Sequence, residues 1–252
     1  MEFYKNKIVA CIPARYKSTR LPGKPLLEIN NTTIINLVYN QVKKSKYIDF
    51  IYVLTDDIRI KNEVDNFGGN CIFKDIECLN GTERICLSLK YIDKQYTIIV
   101  NIQGDEPFID PINIDRCIQN FIKQSVSPKL VCSTLHHKIN YNEAVKSSIG
   151  KLILDKDNNI MYCSRTIIPT NKSGRFNENI DYYGHIGLFV FKRNYLEQDY
   201  IKKNYKYQLS EDIEWLKIIE SGNKINSVCV DFSEISVDTK EDYHYLIDKY
   251  SK

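Results

Sequence analysis

The chain has 252 residues, 43% of them hydrophobic, which is enough for the core of one large α/β domain or two small ones. Lys and Arg total 35 against 32 Asp and Glu, and a net charge of +3 is too small to indicate a nucleic-acid-binding protein. No apolar run approaches the roughly 18 residues of a membrane-spanning helix, and MEFYKNKIVA (1–10) lacks the features of a signal peptide. We therefore expect a cytoplasmic protein with no membrane insertion.

Short β-rich runs alternate with helical patterns in the first part of the chain. KIVACIPA (7–14) predicts a strand, IINLVYNQVKKS (34–45) a helix and DFIYVLTD (49–56) a strand. A second helix is predicted through Asn62, and NCIFK (70–74) is predicted as the next strand. Strand, helix, strand is the βαβ pattern of a parallel sheet.

The pattern continues towards the middle of the chain. TERICLSLKYI (82–92) predicts a helix capped by Thr82, YTIIVNIQ (96–103) a buried strand, NIDRCIQNFIKQ (113–124) a helix and KLVCSTLHH (129–137) a strand. The later half is less regular, with strand-like GKLIL (150–154) and YGHIGLFVFKR (183–193) among turn-rich segments. We predict an α/β fold, a mostly parallel sheet with flanking helices, in a single domain over residues 1–252.

The eight cysteines include no C-x-x-C pair. Neither a zinc site nor a disulfide framework is indicated. Because free cysteine is among the most often buried residue types, we expect most of the eight to lie in the core.

The segment IPARYKSTRLPGKPL (12–26) places a dense group of cations directly after the first predicted strand. In open α/β sheets, ligands bind beyond the carboxyl ends of the strands. The segment contains neither a G-x-x-x-x-G-K-[ST] loop nor a G-x-G-x-x-G turn, so neither a kinase-like ATPase nor a dinucleotide-binding oxidoreductase is indicated. It suits a polyphosphate, although a solvated basic turn is the alternative. The candidate phosphate contacts are Arg15, Ser18, Thr19, Arg20 and Lys24.

Acidic residues follow another predicted strand and precede the last helix. In NIQGDEPFI (101–109), Asp105 comes directly after an apolar strand, where a carboxylate can hold Mg²⁺ against nucleotide phosphates. In SVDTKEDY (236–243), Thr239 and Asp242 fit a helix cap and leave Asp238 just outside the helix. Asp238 is then either turn chemistry or a second ligand of the same ion, and Asp105 alone could be an ordinary solvated acid.

Three long motifs in the same order resemble the 3-deoxy-manno-octulosonate cytidylyltransferase (CMP-Kdo synthetase) family. They are IPARYKSTRLPGKPL (12–26), NGTER (80–84) and NIQGDEPFI (101–109). The similarity extends over essentially the whole chain through CSRTIIP (163–169), HIGLFVF (185–191), EDIEWLKIIESGNKI (211–225) and VDTKED (237–242). The resemblance implies a Rossmann-like nucleotidyltransferase fold of the glycosyltransferase-A-like kind.

The resemblance also implies an activity. In that family the anomeric 2-hydroxyl of Kdo, an acidic 3-deoxy sugar, attacks the α-phosphate of CTP and releases pyrophosphate, with Mg²⁺, for bacterial surface polysaccharide. It further implies a homodimer, with an irregular sugar-binding and dimerisation portion at about 160–220. The implied catalytic residues are Arg15, Lys24 and Asp105, and the implied Mg²⁺ ligands are Asp105 and Asp238. The implied nucleotide-binding residues are Arg15, Ser18, Thr19, Arg20, Lys24, Gly81, Thr82, Arg84 and Gln103, and the sugar-binding residues are Arg165, His185, Glu211 and Glu214.

Three positions in the sugar-binding half depart from the family pattern. Gly184 stands where relatives have a basic residue, Trp215 where they have glutamine, and Lys217 where they have arginine. These changes predict a pocket with less charge and a new stacking surface, and hence relaxed or shifted sugar choice. The alternatives are activation of a modified octulosonate or a nonulosonic acid, a non-catalytic binding homologue, or a Trp215 that packs in the core beside unchanged Kdo recognition. His185 could equally be a core histidine with a satisfied hydrogen bond.

Overall fold

The structure is a computed structural model that describes residues 7–18, 20–202, 205–231 and 235–250. The strands are β1 (Lys7–Pro13), β2 (Glu28–Ile29), β3 (Thr32–Thr33), β4 (Phe50–Thr55), β5 (Cys71–Phe73), β6 (Tyr96–Ile102), β7 (Leu130–Ile139), β8 (Lys151–Leu154), β9 (Ile160–Ser164), β10 (Tyr182–Lys192) and β11 (Lys224–Cys229). The helices are α1 (Ile34–Val42), α2 (Ile58–Asn66), α3 (Gly81–Ser88), α4 (Pro111–Gln124), α5 (Tyr141–Ala144), α6 (Arg193–Gln198), α7 (Lys206–Glu211), α8 (Leu216–Glu220) and α9 (Lys240–Tyr250). Among these described helices, none is both long and apolar enough to cross a bilayer.

The chain divides into two compact units. The first unit is Met1–Asp115 with Glu234–Lys252, and the second is Arg116–Ser233. In the first unit the strands run in the order β6, β1, β4, β5 and pair in parallel. In the second, β11 pairs with β7 in parallel, whereas the β7–β10, β10–β8 and β8–β9 pairs are antiparallel. The predicted α/β fold is confirmed; the single domain over 1–252 stays a prediction.

The core of the first unit is built on β1. This strand pairs with β6 along one edge and with β4 along the other, and where both faces of a parallel strand are covered its apolar side chains need not alternate with polar ones. Residues 8–12 are accordingly buried without interruption. Helix α1 packs an apolar stripe that includes Ile34, Val38 and Val42, all fully buried. The loop that follows β1 is thereby carried on a strand that is paired along both edges.

The cap predicted for α3 is wrong. Asn80, not Thr82, is the N-cap: its backbone is extended, and its side chain accepts a hydrogen bond from the Glu83 N–H. Thr82 lies in the first turn and is buried, where its hydroxyl accepts a hydrogen bond of 3.0 Å from the Asn101 side chain. The predicted cap of α9 is present. The Thr239 hydroxyl accepts from the Asp242 N–H at 3.2 Å, and the Asp242 carboxylate accepts from the Thr239 N–H at 2.8 Å.

The eight cysteines are all free thiols. Four are buried, namely Cys11, Cys117, Cys132 and Cys163, whereas Cys71, Cys78 and Cys86 are half-buried and Cys229 is exposed. The expectation that most lie in the core therefore holds for half of them. Burial raises the pKa of the Cys71 thiol to about 11, so this thiol stays protonated and unreactive at neutral pH.

Candidate active site

The basic loop at Arg15–Lys24 follows β1 in the first unit, as predicted. Arg15 and Arg20 are exposed, and Ser18 is half-buried with its hydroxyl oxygen 3.4 Å from the Leu21 N–H, which donates to it. Thr19 lies outside the described residues. The loop therefore presents two arginine side chains to solvent beyond the carboxyl end of a central parallel strand, where ligands bind in open α/β sheets.

The loop is shaped around the ring of Tyr16. The Gly23 N–H donates a 2.9 Å hydrogen bond to the Tyr16 carbonyl, and Gly23 has a left-handed backbone with φ of 72°. A Cβ on Gly23 would lie 3.0 Å from the Tyr16 ring, so glycine is needed here for both conformation and space. The Arg59 guanidinium covers the ring at 3.3 Å from its centroid. Arg59 is itself held by the Asp57 carboxylate through two hydrogen bonds of 2.9 and 2.7 Å.

Lys24 ends this loop and lies between two carboxylates. Its ammonium donates to Asp105 Oδ2, to Asp238 Oδ1 at 3.3 Å and to the Val237 carbonyl at 3.0 Å. Arg20 reaches the same Asp238 oxygen at 2.9 Å. The Lys24 side chain is 14% exposed, against 22% and 30% for Asp105 and Asp238. These ion pairs are thus partly shielded from water, which strengthens them relative to exposed pairs.

Backbone hydrogen bonds hold the two acids in place. Asp105 follows β6, and its carbonyl accepts a 2.8 Å hydrogen bond from the Val237 N–H. Asp238 precedes α9, and its N–H donates to the Asp242 carboxylate at 3.1 Å. Residues that are 133 positions apart in the sequence are therefore brought to one cation.

The paired acids fit a divalent cation. Magnesium prefers oxygen ligands and is commonly bound by one or two carboxylates together with substrate phosphates. Asp105 and Asp238 supply two carboxylates close enough to share one ammonium group. Within the described ranges, no group of three or more His, Cys, Asp and Glu side chains is arranged to hold a metal. A magnesium ion here would therefore complete its coordination with water and phosphate oxygens.

The start of α3 brings together the other residues predicted to bind the nucleotide. Arg84 is buried and pairs with Asp56, with an Nη2–Oδ2 distance of 2.8 Å. Gly81 lies near the Gln103 carboxamide, since a Cβ built on it would be 3.5 Å from Gln103 Oε1. Thr82 is hydrogen-bonded to Asn101 of β6. These residues border the carboxyl ends of β4 and β6, in the same unit as the basic loop.

In the second unit, Arg165 is surrounded by backbone carbonyls. Its guanidinium donates to the carbonyls of Glu211 (3.1 Å), Asp212 (2.9 Å), Ser147 (3.2 Å) and Ser148 (3.3 Å). An arginine has five N–H donors, so these four hydrogen bonds leave one. Binding of a sugar carboxylate by Arg165 through two parallel N–H donors would require some of these bonds to break.

Glu211 is anchored to the same segment. Its carboxylate accepts hydrogen bonds from the Ser164 hydroxyl at 2.7 Å, the Arg165 N–H at 3.0 Å and the Tyr162 hydroxyl at 3.4 Å. Burial alone would raise the pKa of this carboxyl, but the hydrogen bonds outweigh burial and hold the pKa below its usual range. Glu211 is therefore a fixed anion at neutral pH.

His185 lies in β10 and packs in a cluster with two aromatic rings. Its ring centroid is 4.9 Å from that of Trp215 and 5.0 Å from that of Phe189, and its Nε2 is 2.9 Å from the Thr134 hydroxyl oxygen. Burial, together with nearby cationic groups, lowers the pKa of His185 to about 3, so the ring is neutral at pH 7. Glu214 is half-buried, and its carbonyl accepts a hydrogen bond from the Tyr200 hydroxyl.

Comparison with known proteins identifies the family. The family profile described as Cytidylyltransferase matches residues 9–225. The chain is 39% identical over 242 residues to the 3-deoxy-manno-octulosonate cytidylyltransferase of Fusobacterium nucleatum, covering 96% of each chain. It is 36% identical over 241 residues to the enzyme of the same name from Protochlamydia amoebophila, covering 95% of this chain and 92% of the relative. The chain belongs to the 3-deoxy-manno-octulosonate cytidylyltransferase family.

A solved structure extends this finding to the fold. The chain is similar to CMP:2-keto-3-deoxy-manno-octonic acid synthetase in complex with CTP, with a TM-score of 0.89 and 30% identity over 97% of this chain and 98% of that one. The α/β nucleotidyltransferase fold predicted from the sequence motifs is therefore confirmed. The predicted roles of individual side chains in nucleotide, metal and sugar binding stay predictions.

The three departures from the family pattern are all buried. Trp215 and Lys217 are each 5% exposed, and the Lys217 ammonium lies 4.2 Å from the centroid of the Tyr200 ring. A Cβ on Gly184 would lie 2.8 Å from Ile139 Cγ2, so the surrounding side chains leave no space for a longer residue. In this member of the cytidylyltransferase family these positions are part of the packing, and Trp215 also contacts the predicted sugar-binding His185.

Lys151 is a residue of this site region that the sequence did not indicate. It is fully buried, and its ammonium donates to the carbonyls of Lys146 (2.8 Å), Ile149 (2.7 Å) and Arg165. Burial lowers its pKa. It fixes the 146–149 turn against Arg165, whose guanidinium binds carbonyls of the same turn. In the sequence, Lys151 is one lysine at the start of a short strand, which usually indicates an exposed side chain.

Proposed function

We propose that this chain transfers CMP from CTP to the anomeric 2-hydroxyl of 3-deoxy-manno-octulosonate (Kdo), releasing pyrophosphate. Membership of the family supports this reaction. The observation that carries the proposal is the Lys24, Asp105 and Asp238 cluster, because it combines two carboxylates and an ammonium group at the carboxyl ends of parallel strands. CMP-Kdo would then serve bacterial surface polysaccharide synthesis. The proposed location is the cytoplasm, where CTP is made.

The basic loop would bind the triphosphate. Nucleotidyl transfer needs little covalent chemistry from the protein, so catalysis rests on alignment and on neutralising charge on the phosphate oxygens. Arg15 and Arg20 are exposed and able to reach an anion. Lys24 can exchange its carboxylate partners for phosphate oxygens of the nucleotide. Gln103 and the NGTER segment would contact cytosine and ribose.

Asp105 and Asp238 would hold Mg²⁺. When bound, this ion supplies Lewis-acid stabilisation of negative charge on the phosphates. The carboxylates themselves keep the ion at the end of β6, next to the loop that binds the triphosphate. Lys24 and Arg20 meanwhile compensate the acids while no ion is present, which limits the repulsion between two neighbouring carboxylates.

The acidic sugar would be bound by Arg165, His185, Glu211 and Glu214. The hydrogen bonds that hold Arg165, His185 and Glu211 favour precise placement of hydroxyl partners. One specific observation supports a second candidate substrate. Trp215 packs on His185, and an aromatic surface beside a sugar-binding histidine would tolerate a substituent on the sugar, as in a modified octulosonate or a nonulosonic acid.

The direct test is pyrophosphate release by the purified protein with CTP, Mg²⁺ and one acidic sugar at a time. Kdo, amino-modified octulosonates and a nonulosonic acid form the panel, and the reaction without sugar is the control. The proposal expects sugar-dependent release with Kdo at the highest kcat/KM. A modified sugar with a clearly higher kcat/KM than Kdo would identify that sugar as the substrate instead of Kdo. No pyrophosphate release with any acidic sugar would overturn the proposal for both kinds of substrate.

We also propose a homodimer formed through the portion at about 160–220. Large apolar side chains in this portion are exposed, including Met161 (58%), Tyr207 (52%) and Leu209 (62%). Light scattering on the wild type and on Leu209→Lys tests this proposal. An Ile112→Lys variant is the control, because Ile112 is also 62% exposed but lies in the first unit. A monomeric wild type at micromolar concentration would contradict it.

A further inference from the structure

The hydrogen bonds of Thr134 determine which nitrogen of His185 carries the proton. Thr134 is fully buried in β7, opposite β10, where the pairing register shifts between Ile186 and Phe189. Such a bulge leaves backbone groups without ladder partners. The Thr134 hydroxyl oxygen lies 2.6 Å from the Leu188 carbonyl, 3.4 Å from the Ile186 carbonyl and 2.9 Å from His185 Nε2.

A count of protons assigns the donors. A hydroxyl has one hydrogen to donate and lone pairs that accept. A carbonyl oxygen only accepts, so the Thr134 hydroxyl donates its hydrogen to Leu188, the nearer carbonyl. The contact with His185 must then run the other way, with Nε2–H donating to the threonine oxygen. In a neutral imidazole the second nitrogen, Nδ1, is left with a lone pair and no hydrogen.

The ring is held neutral and in a fixed orientation. Burial lowers the pKa of His185 to about 3, and the neighbouring His136, His137 and Arg165 act in the same direction. Trp215 and Phe189 pack on the ring at 4.9 and 5.0 Å. The residue as a whole is half-buried, and within the described part of the chain the one hydrogen bond of its ring is the contact with Thr134. Nδ1 is therefore available to a ligand.

We propose that Thr134 is a positioning residue that fixes His185 as the Nε2–H tautomer, so that Nδ1 accepts a hydrogen bond from a hydroxyl of the acidic sugar. This inference rests on the proposed function for the nature of the ligand. The sequence indicated only that His185 binds the sugar. The tautomer specifies the group that it binds, because His185 can then recognise a hydroxyl and cannot bind the sugar carboxylate. A lone pair on Nδ1 repels a carboxylate oxygen and attracts a hydroxyl hydrogen. A sugar that lacks the contacted hydroxyl should be used poorly.

The tautomer can be measured without any substrate. Long-range ¹H–¹⁵N correlation spectra of histidine-labelled protein at pH 7 distinguish the two neutral forms and the imidazolium. We expect His185 as the Nε2–H form in the wild type and in Thr134→Ser, and a mixture in Thr134→Val, which keeps the shape and loses the hydroxyl. An Nδ1–H form or an imidazolium in the wild type would overturn the proposal.

Kinetics test the consequence for the sugar. Thr134→Val should raise the KM for Kdo by roughly tenfold, the order of one neutral hydrogen bond, while the KM for CTP stays unchanged. Thr134→Ser, which keeps the hydroxyl, should have the wild-type KM for Kdo. The matched control is Ser227→Ala, because the Ser227 hydroxyl makes the same kind of contact with another buried histidine, His136 Nδ1, at 2.7 Å. It should cost similar stability and leave the Kdo KM unchanged.

Monodeoxy analogues of Kdo identify the contacted hydroxyl. With the wild type, one analogue should have a KM about tenfold higher than that of Kdo. With His185→Phe, the same analogue and Kdo should have equal KM values. If Kdo is turned over but Thr134→Val and Ser227→Ala give the same Kdo KM as the wild type, the inference fails and the proposed function stands. If no acidic sugar is used while the spectra show the Nε2–H form, the proposed function fails and the tautomer assignment stands.

Discussion

The Lys24 ammonium donates a hydrogen bond to the Asp105 carboxylate and, from the same nitrogen, reaches Asp238. Lys24 closes the basic loop after β1, whereas Asp105 follows β6, so the contact joins the carboxyl ends of two paired parallel strands. One cation thus holds together the two acids proposed to bind Mg²⁺.

Asp105→Asn should remove most turnover and leave the fold intact. Loss of one of two metal ligands removes several kcal/mol of transition-state stabilisation, on the order of a thousandfold or more in rate. The variant's kcat and circular dichroism melting curve are the measurements, with Asp65→Asn as the control, since Asp65 forms a surface pair with Lys61 instead. Near-normal turnover in Asp105→Asn, or wild-type activity that a chelator does not reduce, would remove the metal assignment.

Lys24→Met should have opposite effects on metal and nucleotide. Without the ammonium, Asp105 loses its cationic partner and Asp238 keeps only Arg20, so the nucleotide-free protein should bind Mn²⁺ several-fold more tightly. The same variant should use CTP poorly because a phosphate-binding cation is missing. Electron paramagnetic resonance measures free Mn²⁺, and steady-state kinetics measure CTP use. Lys61→Met is the control for both. Unchanged CTP kinetics would support the alternative interpretation, in which the loop is a solvated basic turn.

Gly23→Ala should impair CTP binding through the shape of the loop. An alanine there is strained at φ of 72° and places its Cβ 3.0 Å from the Tyr16 ring. Gly222→Ala is a matched control, since its φ is 81° and nothing lies within 4 Å of its Cβ position. Both should lose about 1 kcal/mol of stability or more to the left-handed backbone. Only Gly23→Ala should raise the KM for CTP, and equal CTP kinetics in the two variants would contradict this account.

Two histidines with lowered pKa values should make the protein acid-sensitive. Burial lowers the pKa of His136 to about 4 and that of His185 to about 3, whereas histidine in an unfolded chain takes up a proton near pH 6.5. Below that pH the unfolded state binds more protons than the native state, so stability is full above about pH 6.5 and is lost as the pH falls towards 4 and then 3. Urea unfolding of the wild type from about pH 7 to 4 should show this slope.

Two variants assign the acid sensitivity. His136→Asn should make the slope between about pH 6.5 and 4 shallower, because one proton uptake on unfolding is lost. His244→Gln, a change on the exposed face of α9, should keep the full slope. A wild type whose stability does not change between these pH values would contradict the burial argument.

Local patterns predicted the fold of the first unit well. The uninterrupted apolar run in β1 and the stripe of α1 are set by short-range periodicity, and motif order identified the family. The error at α3 has a local cause as well. Both Asn80 and Thr82 can cap a helix, and the choice depends on Thr82 being buried against Asn101 of β6, a contact over 19 residues that no local pattern contains.

Partners distant in sequence explain what was missed in the site. The sequence placed Asp105 and Asp238 near each other through motifs, but nothing in it indicated that Lys24 would lie between them. Likewise Lys151 is an ordinary strand lysine until the fold surrounds it with carbonyls. The proton on His185 depends on a hydroxyl 51 residues away. Motifs identify residue types, whereas the hydrogen-bond partners that fix their charge and tautomer are set by tertiary structure.

The most direct test of the central claim follows one oxygen atom. Kdo is first labelled with ¹⁸O at its anomeric 2-hydroxyl. It is then incubated with CTP, Mg²⁺ and the protein, and the masses of the products are measured by mass spectrometry. Attack of that hydroxyl on the α-phosphorus predicts a labelled CMP-sugar and unlabelled pyrophosphate. Release of CMP or CDP with label in a phosphorylated sugar would show attack at another phosphorus and contradict the account.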